Sequence, residues 1–190
     1  MGNYINRIIN KFIIIEDGYK LEISEKKREF KRYDLSFEKL LLSDLELLMK
    51  VYGEELGDKK YCILKDRINE EDIDIFCIKN KSNDILGYFC MAYKSVKENG
   101  INHIIDIDDK SVYLFDDYVF AKHRGNGIQH YSILSRLKLA MNKNKKYAIV
   151  NVYSWNISSI KNYTKLGFKK YIRYYYLKII RKIIIKNIML

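Results

Sequence analysis

The chain has 190 residues, 48% of them hydrophobic, which suits one domain with a core of its own, or one domain with a small extension. Lys and Arg number 35 against 24 Asp and Glu, a formal charge of +11 that favours an anionic ligand, an acidic protein or nucleic acid. Abundant Ile, Lys, Asn and Tyr with no proline read first as a compositional bias, and with no basic stripe, no nucleic-acid motif and no uncharged apolar run of about 18 residues, neither a nucleic-acid partner nor a transmembrane segment is expected.

The N-terminus, Met1-Gly2-Asn3-Tyr4, lacks the apolar region of a signal peptide, and Asn6 stands where myristoylation needs Ser or Thr. Residues 12–15 and 19–23 flank Asp17-Gly18, which predicts a β-hairpin with a primed turn inside an N-terminal extension over 1–27. A charged run at 25–32 overlaps a first core strand at 30–35. Ser43-Asp44-Leu45-Glu46 has capping-box spacing ahead of Leu47, Leu48 and Val51, so a helix starts there, interrupted by Gly53 and Gly57. A second helix is expected over 61–68. Ile73, Ile75 and Cys77 open a strand that turns at 80–84 and returns over 85–93 as an antiparallel hairpin. The polar segment 94–109 holds one short strand at Ile104, Ile105 and Ile107. Cys62, Cys77 and Cys90 stand far apart and read as thiols of a reducing cytoplasm, with no disulfide framework and no metal site.

Next comes the most informative stretch, 113–133. Tyr113, Phe115, Val119 and Phe120 are strand-forming types, and Arg124-Gly125-Asn126-Gly127 lets the backbone turn tightly. Ile128, Tyr131, Leu134 and Leu137 then recur at helical spacing, with Ile133, Ala140 and Met141 widening the apolar face. A strand, a glycine loop and a helix start form an anion site, because the first helical amides have no partner within the helix and the dipole is positive there. Arg124 adds a full charge. A strand at 148–153 leads into a helix at 156–166 that Gly167 ends. An aromatic strand at 168–180 closes the main domain, 28–180, and the basic apolar tail 181–190 forms a last strand or an oligomer contact, the latter implying a homodimer. This order is that of an α/β protein with a mixed sheet.

The segment after the late strand is Trp155-Asn156-Ile157-Ser158-Ser159, continuing to Tyr163, Gly167 and Phe168. Asn156 can cap its helix, Ser159 lies one turn on, and Tyr163 lies near the same face. With Arg124, Gly127 and the position of Gln129, this pattern resembles the GNAT family of coenzyme A-dependent N-acyltransferases. The family's loop is Arg or Gln, two residues, Gly, one residue, then Gly or Ala; Gln129 departs from the small last place. The resemblance covers about residues 30–180. Within the family, Tyr113-Leu114, Asp116, Val119, Arg124-Gly125-Asn126-Gly127-Ile128 and Trp155-Asn156 are similar to diamine and polyamine acetyltransferases, which carry a glutamate where this chain has Phe115.

The resemblance implies a GNAT-like fold: a central, mostly antiparallel mixed sheet flanked by helices, with a splayed strand pair that binds the cofactor. It implies direct acetyl transfer from acetyl-CoA to a primary amine of a small molecule or peptide, without a metal. The amides of Gly125, Asn126, Gly127, Ile128 and Gln129, with Arg124, would hold the pyrophosphate. Val119 would offer an amide to the thioester oxygen, Asn156 would bond to the pantetheine arm or stabilise the local turn, Ser159 would be a further cofactor-binding residue, and Tyr163 would be the general acid. Asp116 and Asp117, alternating across the strand, are the carboxylates for anchoring or deprotonating the amine, with Asp116 facing substrate. Two rival readings keep the fold: a non-catalytic acyl-CoA-binding module, and an acyltransferase fed by an acyl carrier protein.

Overall fold

The computed structural model describes residues 11–24, 34–98 and 100–188. Its apolar runs form strands β1 (Ile13–Glu22), β2 (Leu35–Lys39), β3 (Ile73–Asn80), β4 (Ile85–Ala92), β5 (Val96–Glu98), β6 (His103–Ile105), β7 (Ser111–Val119), β8 (Tyr147–Tyr153), β9 (Lys169–Leu177) and β10 (Lys182–Asn187). The helices are α1 (Leu42–Leu56), α2 (Asp58–Ile68), α3 (Ile128–Asn142) and α4 (Ile157–Lys165). Eight strands pair in the order β10-β9-β1-β8-β7-β4-β3-β2, and β5 and β6 form a separate hairpin. Among the described strands only β7 and β8 run parallel, with α3 crossing between them. The architecture is therefore the expected mixed, mostly antiparallel sheet.

Helices cover both faces. On one, Leu45 and Leu48 of α1 and Leu64 of α2 pack over Ile75, Tyr113 and Phe115. On the other, Ile133 and Leu137 of α3 and Tyr163 of α4 pack over Leu114, Val150 and Val152. α1 starts two residues before the expected cap: the Leu41 amide donates to Asp44 Oδ2 at 3.1 Å, and the helix runs through Gly53, with its only non-helical residue at Tyr52, until Gly57. Met141, placed by spacing on the apolar face of α3, is exposed at the helix end, where the face has run past the sheet. Cys77 and Cys90 are buried and Cys62 is exposed.

The largest departure from expectation lies at the N-terminal side. Ile13–Glu22 form one strand, not a hairpin, and β1 lies inside the sheet, antiparallel to both β8 and β9. Asp-Gly between apolar runs is a strong turn signal, but here the glycine serves close approach: a Cβ on Gly18 would stand 2.3 Å from Ile172 Cγ2, where the β1–β9 register shifts. Asp17 is buried and accepts hydrogen bonds from Arg173 Nε at 2.6 Å and Nη2 at 2.9 Å, with Lys170 Nζ at 2.7 Å. The charged run 25–32 lies outside the described residues, as does nearly all of the strand expected at 30–35; the described strand there is β2, from Leu35. The segment 94–109 carries two short strands where one was expected. The C-terminal tail supplies β10, an edge strand with Ile184 and Ile185 exposed. Gly18→Ala should cost about 1–3 kcal/mol of stability by overpacking β1 against β9, read as a lowered denaturant midpoint.

Candidate active site

The parallel ladder between β7 and β8 joins Ser111–Leu114 to Tyr147–Val150 and then stops, although both strands continue. The cause is a bulge. Phe115 pairs with Cys90 and Tyr118 with Tyr88, so Asp116 and Asp117 together oppose Phe89. Asp116 takes φ of 49°, a left-handed conformation uncommon outside glycine. A bulge bends its strand and increases the local twist, and a cavity of about 770 Å³ opens where β7 leaves β8, lined by residues of both strands and by α2, α3 and α4.

The bulge overturns the expected alternation of the two carboxylates: Asp116 and Asp117 both line this cavity. Asp116 is already neutralised, by Lys60 Nζ at 2.8 and 2.9 Å and by Arg67 from the same helix, so it is not a free anchor for an incoming cation. Asp117 pairs with Arg136, fully buried on α3, whose Nη2 donates to Oδ2 at 2.8 Å and whose Nη1 lies 2.7 Å from Oδ1. Nη1 of Arg136 also donates to the Cys90 carbonyl at 2.7 Å, tying α3 to β4.

Tyr163 also lines the cavity, and its hydroxyl donates to Asp117 Oδ2 at 2.9 Å. Burial and the Asp117 charge push the phenol well above its usual range, while Arg136 opposes the shift; the group is protonated at neutral pH. Gln129 reaches across from the start of α3. Its Nε2 donates to Ser159 Oγ at 3.1 Å and, at 3.4 Å, to Asp117, and its Oε1 accepts from Asn162 at 2.8 Å. Asn156 caps α4 by accepting from the Ser159 amide at 3.2 Å. Asn156, Ser159, Gln129, Asp117 and Tyr163 thus meet at one end of the cavity, on the α3–α4 side.

The glycine loop leads from the end of β7 into α3. Gly125 and Gly127 take φ of 81° and 72°, and among the described residues no acceptor binds the backbone amides of Gly125, Gly127, Ile128 or Gln129. The Arg124 side chain is turned back: Nε donates to the Val119 carbonyl at 3.0 Å, and Nη2 donates to the Tyr118 hydroxyl at 3.2 Å and lies 3.6 Å from Glu55. The Phe120 amide donates to Leu86, so by antiparallel alternation the Val119 amide points away from β4, toward the β8 side. Arg124, Gly125, Asn126, Gly127, Ile128 and Val119 stand outside the cavity wall.

Sequence reasoning missed four charged residues that build the site: Lys60, Arg67, Arg136 and Glu16. Arg136 had a signal, since it falls on the face of α3 marked by Ile133 and Ala140. Glu16 is 4% exposed, lines the cavity from β1, and has no hydrogen-bond partner on Oε2 among the described residues. Burial first, and the nearby Glu98 charge second, raise its carboxyl to about 8. Glu98 accepts from the Tyr113 hydroxyl at 2.9 Å and from the Gly100 amide at 3.3 Å. No cluster of three or more His, Cys, Asp and Glu suited to a metal ion occurs among the described residues, and no described helix is long and apolar enough to cross a membrane.

No family model and no curated protein matches the chain. Solved structures do. A GCN5-related glucosamine N-acetyltransferase region of a fungal multi-domain β-N-acetylglucosaminidase superposes with a TM-score of 0.65 at 11% identity, over 91% of this chain and 22% of that one. A tandem GNAT protein of the clavulanic acid biosynthesis pathway gives 0.60 at 14% identity, over 85% of this chain and 51% of that one. A ribosomal-protein-alanine N-acetyltransferase of Brucella melitensis biovar Abortus 2308 gives 0.50 at 16%, over 70% and 89%. The chain thus spans about half of the tandem protein and under a quarter of the fungal one. The fold is that of the GNAT acetyltransferases.

Two outcomes test this geometry. Arg136→Leu leaves Asp117 buried without its counter-charge and should cost about 3–5 kcal/mol, measured by denaturant unfolding. The Glu16 carboxyl holds its proton to about 8 when folded, against 4.5 as its ordinary value. Between those pH values the unfolded chain binds fewer protons, so Glu16 makes stability fall as pH rises. Glu16→Gln should flatten that fall in thermal melts taken across the window.

Proposed function

We propose that the chain is a cytoplasmic N-acetyltransferase that moves an acetyl group from acetyl-CoA to a primary amine of a small molecule or peptide by direct attack. One observation carries this reading: a cavity opened by the bulge at Asp116–Asp117 joins the α1–α2 face of the sheet to a cluster of hydrogen-bonding groups at the start of α4. Two substrates can approach one point from opposite faces. The GNAT fold is consistent with it.

The residues present fit a diphosphate-bearing donor. The unoccupied amides of Gly125, Gly127, Ile128 and Gln129 at a helix start are suited to phosphate oxygens. Arg124 adds its charge there once it leaves the Val119 carbonyl and Glu55. Asn156, Ser159 and Gln129 offer hydrogen bonds to the amide-bearing arm. The donor supplies the acyl group activated as a thioester. The Val119 amide would stabilise negative charge developing on the thioester oxygen. Tyr163 Oη holds the proton that a departing thiolate needs, and Arg136 offsets the phenolate charge left behind. In the structure that hydroxyl donates to Asp117 Oδ2, so it would turn off Asp117 to reach the sulfur. The amine releases its proton to water.

Tyr163→Phe should lower kcat about 100-fold to 10,000-fold, read as free thiol released from acetyl-CoA over an amine panel. A variant with undiminished turnover removes the acid role. If no amine in the panel releases thiol from the wild-type protein, the transferase reading fails.

A further inference from the structure

The α2 wall of the cavity carries more positive charge than its acid answers. Lys60 and Arg67 both line the cavity, and both turn to the single carboxylate of Asp116. Lys60 Nζ donates to both carboxylate oxygens. Arg67 uses Nη1 alone, which also points to Cys90 Sγ at 3.9 Å. Among the described residues, Nε and Nη2 of Arg67 have no acceptor, although the side chain is only 12% exposed. A guanidinium presents five N–H groups in a rigid fork, and leaving part of that fork unmet in a largely buried place is costly. The fork is held in position: its carbon lies 4.9 Å from the centroid of the Phe115 ring, and Asp116 fixes one end.

The rest of the lining does not supply the missing anion. Asp117 is taken by Arg136, and Glu16 keeps its proton at neutral pH. Glu98, on β5, accepts from the Tyr113 hydroxyl and the Gly100 amide, and makes no ion pair with Lys60 or Arg67 among the described residues. Lys59 and Lys97 add exposed positive charge to the lining. An ammonium that enters along this wall meets two cations whose shared acid is already occupied. A carboxylate meets a waiting fork edge, matches it in planar geometry, and balances the surplus with a single negative charge. The wall belongs to the α1–α2 face of the sheet, opposite the cluster of Asn156, Ser159 and Gln129 on the α3–α4 side. An anion seated here would therefore sit on the acceptor's side of the cavity.

We propose that Arg67, with Lys60 beside it, forms a carboxylate subsite on the α2 wall, so that the preferred acceptors are amines that also carry a carboxylate. Arg67 Nε and Nη2 donate in parallel to the two carboxylate oxygens, and Lys60 adds charge alongside. Asp116 is a positioning residue: it holds both cations against the bulge and takes up only part of their charge. The word acceptor rests on the acyl-transfer reading, whereas the binding of the anion can be tested without turnover.

The test is calorimetric titration of the full chain at neutral pH and physiological salt, without acetyl-CoA. The probes are glycine, 3-aminopropanoate, 4-aminobutanoate and 6-aminohexanoate, each set against its own carboxamide, which keeps the shape and lacks the charge. At least one acid should bind about tenfold or more tightly than its amide. Arg67→Lys keeps a positive charge against Asp116 and loses the fork, and should bring acid and amide to about equal affinity. Lys60→Met leaves Arg67 alone against Asp116 and removes the surplus charge. It should also lose most of the preference, and decides the matter should the Arg67 variant fail to fold. No binding by any acid, a preference that survives both variants, or an equal loss in Lys59→Gln would overturn the subsite. So would tighter binding of 1,4-diaminobutane or of 3-aminopropylphosphonate than of 4-aminobutanoate. In turnover, the best acid should exceed its amide in kcat/KM, chiefly through KM, and Arg67→Lys should remove that advantage. Equal thiol release with acids and amides overturns the subsite and leaves the transferase standing. Acid-selective binding that Arg67→Lys abolishes, with no thiol release from any amine, does the reverse.

Discussion

The ion pair between Asp117 and Arg136 is the constraint on which the site depends. Two acidic residues side by side in a central strand would normally be costly, because burying a charge without a partner is among the largest penalties in a protein interior. Here each has a partner from a different layer. Arg136 reaches Asp117 from α3, and Lys60 and Arg67 reach Asp116 from α2. The bulge is thus gripped from both faces of the sheet. With β7 held in that bent path, β8 cannot follow it, and the parallel ladder ends at Leu114 and Val150. The cavity exists because those two strands part.

The same pairing orders the chemistry. Asp117 accepts the Tyr163 hydroxyl, Gln129 joins it from α3, and Ser159 and Asn162 tie Gln129 to α4. The large side chain of Gln129, anomalous as a member of a glycine loop, has work as the bridge between two helix starts. The arrangement is a connected polar network in which a change at one member alters the others, so single substitutions will not partition into independent contributions.

Much of this was legible from local pattern. The β3–β4 hairpin, the strand–loop–helix around Gly125 and Gly127, and the Asn156 cap each rest on signals contained within about ten residues, and each is found close to where those signals put it. What was not legible was long-range. Asp17-Gly18 carries a hairpin signature, and only the crowding of Ile172, from far along the chain, turns it into a straight strand. Asp116 and Asp117 could be placed in a strand but not in a bulge, because a bulge is a relation to Phe89 and leaves no mark in the sequence of β7. Glu16 was missed because the segments that line the cavity with it, β8 and β5, lie far along the chain.

The insertion of β1 between β8 and β9 bears on how the molecule assembles. Asp17 meets Arg173 across a sequence separation of 156. A strand made early must therefore stay unpaired until β8 has been synthesised, and it gains its second neighbour only with β9. Closing so wide a loop carries an entropic cost that is met late, which argues for slow final docking and for a waiting species with sticky, uncovered edges. Glu16 travels with that strand, so its side of the cavity wall is absent until β1 has docked.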